Sequence, residues 1–232
     1  MAFSKVKELN KIIEIISNGR KRTNILKGCE QKAIAFLVTK IPEWISSDLL
    51  TLIGVLGNII VSASFLLAKY YNRIYLLIGI LGFFVSWFGD SLDGRIAYYR
   101  NKPRKWYGFT LDFTMDWIGI VLIGLSFIIF LDNSWKILGY LFVTLYGWEM
   151  MTALMRYKVT GKYSIDSGIF GPTEVRIIIS IILIIEVIFN RSIIFFAIIA
   201  NVGLLIANIM DFIKLLKSAD SRDKQENKII EN

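Results

Sequence analysis

These 232 residues contain no histidine and one cysteine. Without histidine, proton transfer falls to Asp, Glu, Lys, Tyr or water, and a Cys/His metal cluster is excluded. The lone thiol, Cys29, cannot form an internal disulfide. The first stretch, MAFSKVKELNKIIEIISNGRKR, lacks an apolar core followed by a small-residue cleavage site, so no signal peptide is expected there. Nor does any soluble basic domain stand out, so the net charge of +8 is not read as nucleic-acid binding.

What is present is apolar. The chain is 55% hydrophobic and 14% aromatic, with a mean hydropathy of +0.55, which points to an all-α polytopic membrane protein. Six apolar segments run from Ser46 to Ala68, Ile74 to Tyr98, Tyr107 to Leu131, Trp135 to Met155, Glu174 to Phe189 and Ile193 to Leu215. Each approaches the ~20 residues a spanning helix needs, the fifth being short. Residues 1–40 are charged, with Val6, Leu9, Ile12, Ile13 and Ile16 at helical spacing, as in an amphipathic helix on the membrane surface. The expected division is therefore a juxtamembrane segment at 1–40, a six-helix domain at 41–217 and a polar, frayed tail at 218–232.

Lys and Arg in the short loops set orientation. With the amino terminus inside, the outer loops carry only Lys69, Arg73, Lys136 and Arg191, and the remaining loop and terminal cations fall inside. Both termini are thus expected in the cytoplasm of an integral membrane protein, in a bacterial-type inner membrane. Trp44, Trp106, Tyr107 and Trp135 fall near the predicted interfaces as aromatic anchors.

Within this apolar chain the stretch GDSLDGRIAYYRNKPRKWYGFTLDFTMDW, residues 89–117, holds four aspartates. A carboxylate in a bilayer costs on the order of several kcal/mol unless it is paired, hydrated or metal-bound. Asp90 and Asp93 are spaced i, i+3 at the inner end of the second segment, and Asp112 and Asp116 i, i+4 at the inner start of the third. Each pair shares a helix face, and the short loop between them makes the two helices antiparallel neighbours. Four converging carboxylates repel one another unless a cation sits among them. Oxygen-only ligands suit Mg²⁺, with Mn²⁺ or Ca²⁺ as alternatives, and Mg²⁺ usually accompanies a phosphate-bearing substrate. Gly94, Ala97 and Gly108 would let such a substrate approach the backbone. Arg95, Arg100, Lys102, Arg104 and Lys105 lie in the same mouth, where they can neutralise phosphate; Lys102 and Lys105 are read chiefly as topology signals.

Asp90-x-x-Asp93-Gly94-x-x-Ala97 followed by Gly108-x-x-x-Asp112-x-x-x-Asp116 resembles the signature of the CDP-alcohol phosphotransferases (CDP-alcohol phosphatidyltransferases). IPEWISSDLLTLIGVLG at 41–57 and GPTEVR at 171–176 are similar to further segments of that family, so the resemblance covers roughly residues 40–215. At one position the chain departs from the pattern: Tyr98 stands where the family has Arg, with Arg95 and Arg100 nearby to supply the charge. The resemblance implies metal-dependent transfer of a phosphoryl group from a CDP-linked donor to an alcohol, with release of CMP. It implies that Asp90, Asp93 and Asp112 hold the metal, that Asp116 completes a second metal site and acts as base, and that Gly94, Ala97 and Gly108 pack against the cytidine nucleotide. It also implies a homodimer, with membrane lipids and a CDP-linked lipid or alcohol as partners.

The remaining polar residues have plainer readings. Glu149, in the fourth segment, either lines an acceptor pocket or pairs with an arginine. Arg156 and Arg176 are reachable from the same mouth as candidate acceptor-binding groups. Pro172 and Glu174 suit a helix start, and Asp48 is read as a helix cap. CDP-diacylglycerol giving its phosphatidyl group to a small polar alcohol is the leading direction; transfer of a phospho-head-group from a soluble CDP-alcohol to diacylglycerol uses the same signature. An intramembrane prenyltransferase would hold its two Asp motifs far apart in sequence. A cation transporter would place its carboxylates near the midplane of broken helices.

Overall fold

Backbone groups in lipid must find their hydrogen bonds within the chain, and this one finds them in helices. The computed structural model describes residues 2–16, 25–161 and 171–230. In chain order the helices are α1 (Ala2–Ile16), α2 (Lys27–Val38), α3 (Ser47–Tyr70), α4 (Leu76–Tyr99), α5 (Lys105–Phe130), α6 (Lys136–Thr160), α7 (Pro172–Ile188) and α8 (Ser192–Ile230). Among the described residues, α3, α4, α5, α6 and α8 are long and apolar enough to cross a membrane. α7, with 17 residues, is the short fifth segment of the sequence reading. Of the expected loop RYKVTGKYSIDSG, residues 156–160 belong to α6, and 162–168 lie outside the described residues.

Local chemistry sets the helix ends. Ser46 caps α3 by accepting from the Leu49 amide at 3.1 Å. Asp48, expected to be the cap, instead pairs its carboxylate with Arg104 from the α4–α5 linker. α6 stops at Gly161, whose φ of 68° is left-handed and suits glycine. Glu186 caps the start of α8, accepting from the Arg191 and Ile193 amides at 3.0 and 2.8 Å. Between α5 and α6, the hydrogen bond from Lys69 holds the Asp132 carboxyl below its usual range.

α3 and α4 meet at backbone distance. A Cβ on Gly57 would run into the backbone of Ser86, and one on Gly89 into that of Gly54. Small residues thus let the helices close without intervening side chains. α6 and α8 are fastened in parallel: Asn201 Nδ2 donates to the Leu138 carbonyl at 3.1 Å, and Asn208 Nδ2 to that of Leu145 at 2.8 Å, seven residues further along both helices.

At the amino terminus, Leu9, Ile12, Ile13 and Ile16 of α1 pack with Ile34 and Val38 of α2 and with Leu50, Leu92 and Ile96 of the bundle. One departure concerns the other end of the chain. The segment after Leu215, expected to fray, continues as helix to Ile230. It has no Gly or Pro, and Asp220–Lys224 and Arg222–Glu226 form i, i+4 pairs at 2.6 and 2.7 Å. Arg222 Nη1 also donates to the Lys158 carbonyl at 2.8 Å, tying this extension to the end of α6.

Candidate active site

The close approach at Gly89 lays the carboxyl-terminal end of α4 against the first turns of α3. Asp93 is buried there. Its Oδ2 accepts from Thr51 Oγ1 at 2.8 Å, its Oδ1 from the Gly94 amide, and its carbonyl from Ser47 Oγ at 2.6 Å. Asp93 is therefore held by two hydroxyls of α3, one on its carboxylate and one on its backbone carbonyl.

Asp90, one turn earlier, joins Asp112 and Asp116 of α5. One carboxylate oxygen from each of the three lies within 4.8 Å of the others, all three side chains being half-buried. Arg176 of α7 approaches the same group, its Nη2 donating to Asp90 Oδ2 at 2.6 Å. All four aspartates line one cleft, together with Thr51, Gly54 and Asn58 of α3 and Ser86 of α4. Ser86 Oγ donates to Asn58 Oδ1 at 2.8 Å, joining α4 to α3 beside the cleft. Three carboxylate oxygens so close have the donor chemistry that suits a hard cation.

The other residues singled out by the sequence distribute as follows. Gly94 and Ala97 are half-buried on α4 next to Asp93. Gly108 has open space where a Cβ would stand, one turn before Asp112. Arg95 is buried, only 3% exposed. The Arg100 guanidinium donates to the carbonyls of Ile45, Pro42 and Ile41 at 2.5, 2.8 and 3.3 Å, which fastens the α2–α3 linker to the end of α4. Arg156 Nη2 pairs with Asp211 Oδ2 of α8 at 2.9 Å, and Lys214 meets the other Asp211 oxygen at 3.2 Å. Glu149, two turns before Arg156 on α6, keeps both carboxylate oxygens buried, without a hydrogen-bond partner among the described residues. It lies within electrostatic range of Asp211, Arg156 and Lys214, so these four form a second polar centre between α6 and α8.

Sequence reasoning passed over Thr51, Ser47 and Asn58. The hydroxyls of ISSDLLT, one turn apart at 47 and 51, are the only signal for the first two. It becomes meaningful once α3 is known to lie against α4.

Residues 44–212 match the family described as CDP-alcohol phosphatidyltransferase, a stretch that holds all four aspartates, Arg176, and Glu149, Arg156 and Asp211 of the α6–α8 polar centre. No curated protein matches the chain. With most of its length covered by that match, the chain belongs to the CDP-alcohol phosphatidyltransferase family, membrane enzymes of phospholipid synthesis that transfer a substituted phosphate group from a CDP-linked donor.

Proposed function

We propose that this enzyme transfers the phosphatidyl group of CDP-diacylglycerol to a small polar alcohol, with Mg²⁺ held by Asp90, Asp93, Asp112 and Asp116. The observation that carries the metal is the set of three carboxylate oxygens within 4.8 Å of one another. Carboxylates at that spacing repel strongly in a low-dielectric bundle, and a hard divalent cation relieves the repulsion. Mn²⁺ offers the same chemistry. Bound there, the metal would supply Lewis acidity at the pyrophosphate and offset the charge of departing CMP.

The chain's own groups do the rest. Gly94, Ala97 and Gly108 are proposed to pack against the nucleotide, Gly108 with open space where a Cβ would stand, while Arg95 is buried on the same helix as Gly94 and Arg100 fastens the α2–α3 linker. Asp116 takes the proton of the acceptor hydroxyl as its oxygen bonds to phosphorus and the bond from phosphorus to the CMP oxygen breaks. No histidine competes for that role.

The direction of transfer is argued from Glu149, Arg156, Asp211 and Lys214. Diacylglycerol would bring its hydroxyl flanked by acyl chains, for which a set of two carboxylates and two cations, with Asp211 buried, Glu149 and Arg156 half-buried and Lys214 exposed, is a poor lining. A small alcohol bearing hydroxyl, amino or charged groups suits it, because the two unpartnered oxygens of Glu149 call for donors. Six spans, with α7 the shortest, and both termini in the cytoplasm complete the reading.

CMP release by the purified protein in detergent tests it. CDP-diacylglycerol with Mg²⁺ is offered glycerol 3-phosphate, serine, inositol or inositol phosphate, and CDP-ethanolamine is offered diacylglycerol in parallel. Release that requires one polar acceptor and vanishes in Asp112→Asn and Asp116→Asn is the expected outcome. Release only from CDP-ethanolamine with diacylglycerol would reverse the direction, and undiminished turnover by Asp116→Asn would remove the base.

A further inference from the structure

The turn GPTEVR that opens α7 is bonded on two sides at once. Toward the cleft, Arg176 Nη2 donates to Asp90 Oδ2 at 2.6 Å. Away from it, Glu174 Oε1 accepts from the Leu26 amide at 2.8 Å, immediately before α2, and Thr173 Oγ1 donates to Glu30 Oε1 of α2 at 3.0 Å. Helix capping accounts for only one oxygen of Glu174, the Oε2 that accepts from the Gly171 amide at 3.0 Å. The bonds to residues 26 and 30 are not needed to start a helix. They also involve two buried carboxylates, Glu30 and Glu174, 5% and 6% exposed. Burying a carboxylate is costly unless its oxygens are hydrogen-bonded. Three residues of one turn thus connect a surface segment to a carboxylate of the reacting centre.

The linkage has a mechanical consequence. Thr173, Glu174 and Arg176 share a single helical turn, so whatever fixes the first two fixes the base of the third. An arginine holding one oxygen of Asp90 restricts the rotation of that carboxylate and so the position of its other oxygen. Groups that hydrogen-bond a metal-binding carboxylate in this way orient it before the ion arrives. We propose that Arg176 positions Asp90, and that Thr173 and Glu174, by docking on residues 26 and 30, position Arg176, so that the seating of the amino-terminal segment sets the divalent-cation affinity of the carboxylate centre. The inference rests on the reading of that centre as a metal site. Arg176 is here a positioning residue and not an acceptor ligand.

The test is Mn²⁺ binding by the full-length chain in detergent, with no nucleotide, read from the electron paramagnetic resonance signal of the free ion. Wild type is compared with Thr173→Val, Glu174→Gln, Arg176→Gln, Arg176→Lys and the double variant Glu174→Gln/Arg176→Gln. Loss of a partner that orients a ligand typically costs about 10–100-fold in metal affinity, so Arg176→Gln is expected in that range, with Arg176→Lys recovering part of it. Thr173→Val and Glu174→Gln, acting one step further out, are expected to weaken binding by about threefold to tenfold. The double variant is expected to bind no worse than Arg176→Gln, because the outer residues act through the arginine. Wild-type affinity in both outer variants would overturn the proposal, and so would losses that multiply in the double variant. Thr173→Val removes one hydroxyl and keeps the test available if Glu174→Gln does not fold. A wild-type chain that binds no Mn²⁺ and is indifferent to Asp112→Asn would instead overturn the metal reading beneath it.

Discussion

At the scale of single residues, the four aspartates differ in how they are held. Asp93 takes two hydroxyl bonds from α3, whereas Asp90 is held by an arginine from α7 and stands closer to Asp112 and Asp116. Removing Thr51 Oγ1 leaves one oxygen of a buried carboxylate short of a donor. A hydrogen bond to a charged group is worth about 1.5–3 kcal/mol, so Thr51→Val is expected to lower kcat/KM for CMP release by about tenfold or more. Thr51→Ser, which keeps the hydroxyl, restores most of it, and equal losses in the two variants would assign the effect to packing. Lys102→Ala, exposed in the α4–α5 linker, is expected to leave most of the activity. The aspartates were legible because their i, i+3 and i, i+4 spacing falls within single helices. Their supports were not. Thr51 lies 42 residues from Asp93, and Arg176 lies 86 from Asp90, so those contacts exist only once the helices are assembled.

At the scale of the helix, the site depends on how closely α3 and α4 approach. Gly89 immediately precedes Asp90, and its α-carbon lies against the backbone of α3. Gly89→Leu must separate the helices or strain both, and overpacking of this kind costs about 1–3 kcal/mol. The expected outcome is a lower thermal midpoint in detergent together with loss of CMP release, because Asp90 and Asp93 withdraw from Thr51 and Asp112. A stable variant with normal turnover would mean that backbone contact is not what sets the cleft. Helix positions were mostly readable from apolar runs, to within a few residues. The extension of α8 was missed because polarity was taken as fraying, whereas the i, i+4 ion pairs and the Arg222 contact with α6 sustain the helix. α7 is not among the five helices long and apolar enough to cross a membrane: its 17 residues rise about 25 Å, against a hydrocarbon core of about 30 Å. Its first turn bonds to Leu26 and Glu30, and Glu186 in its last turn caps α8.

At the scale of the whole molecule, one orientation has to satisfy both the loop charges and the chemistry. A CDP-linked donor carries a water-soluble nucleotide, so the carboxylate cleft must open to the compartment that supplies it. The loops at the other end are poor in Lys and Arg, while the cleft end carries Arg100, Lys102, Arg104 and Lys105, so the positive-inside rule predicts that end inside. The same end holds α2, bound to α7 through Glu30 and Thr173, and α2 carries the chain's one cysteine, Cys29, which is exposed. The protein therefore contains its own topology reporter. A membrane-impermeant maleimide is expected to label Cys29 in inside-out vesicles and to leave it unmodified in intact cells until the membrane is opened. In a Cys29→Ser background, a cysteine placed at Ser134, in the α5–α6 connection, is expected to show the opposite pattern. Labelling of Cys29 from outside in intact cells would invert the topology. It would also place the carboxylate cleft on the side away from the nucleotide supply, so the loop-charge argument and the proposed reaction would fail together.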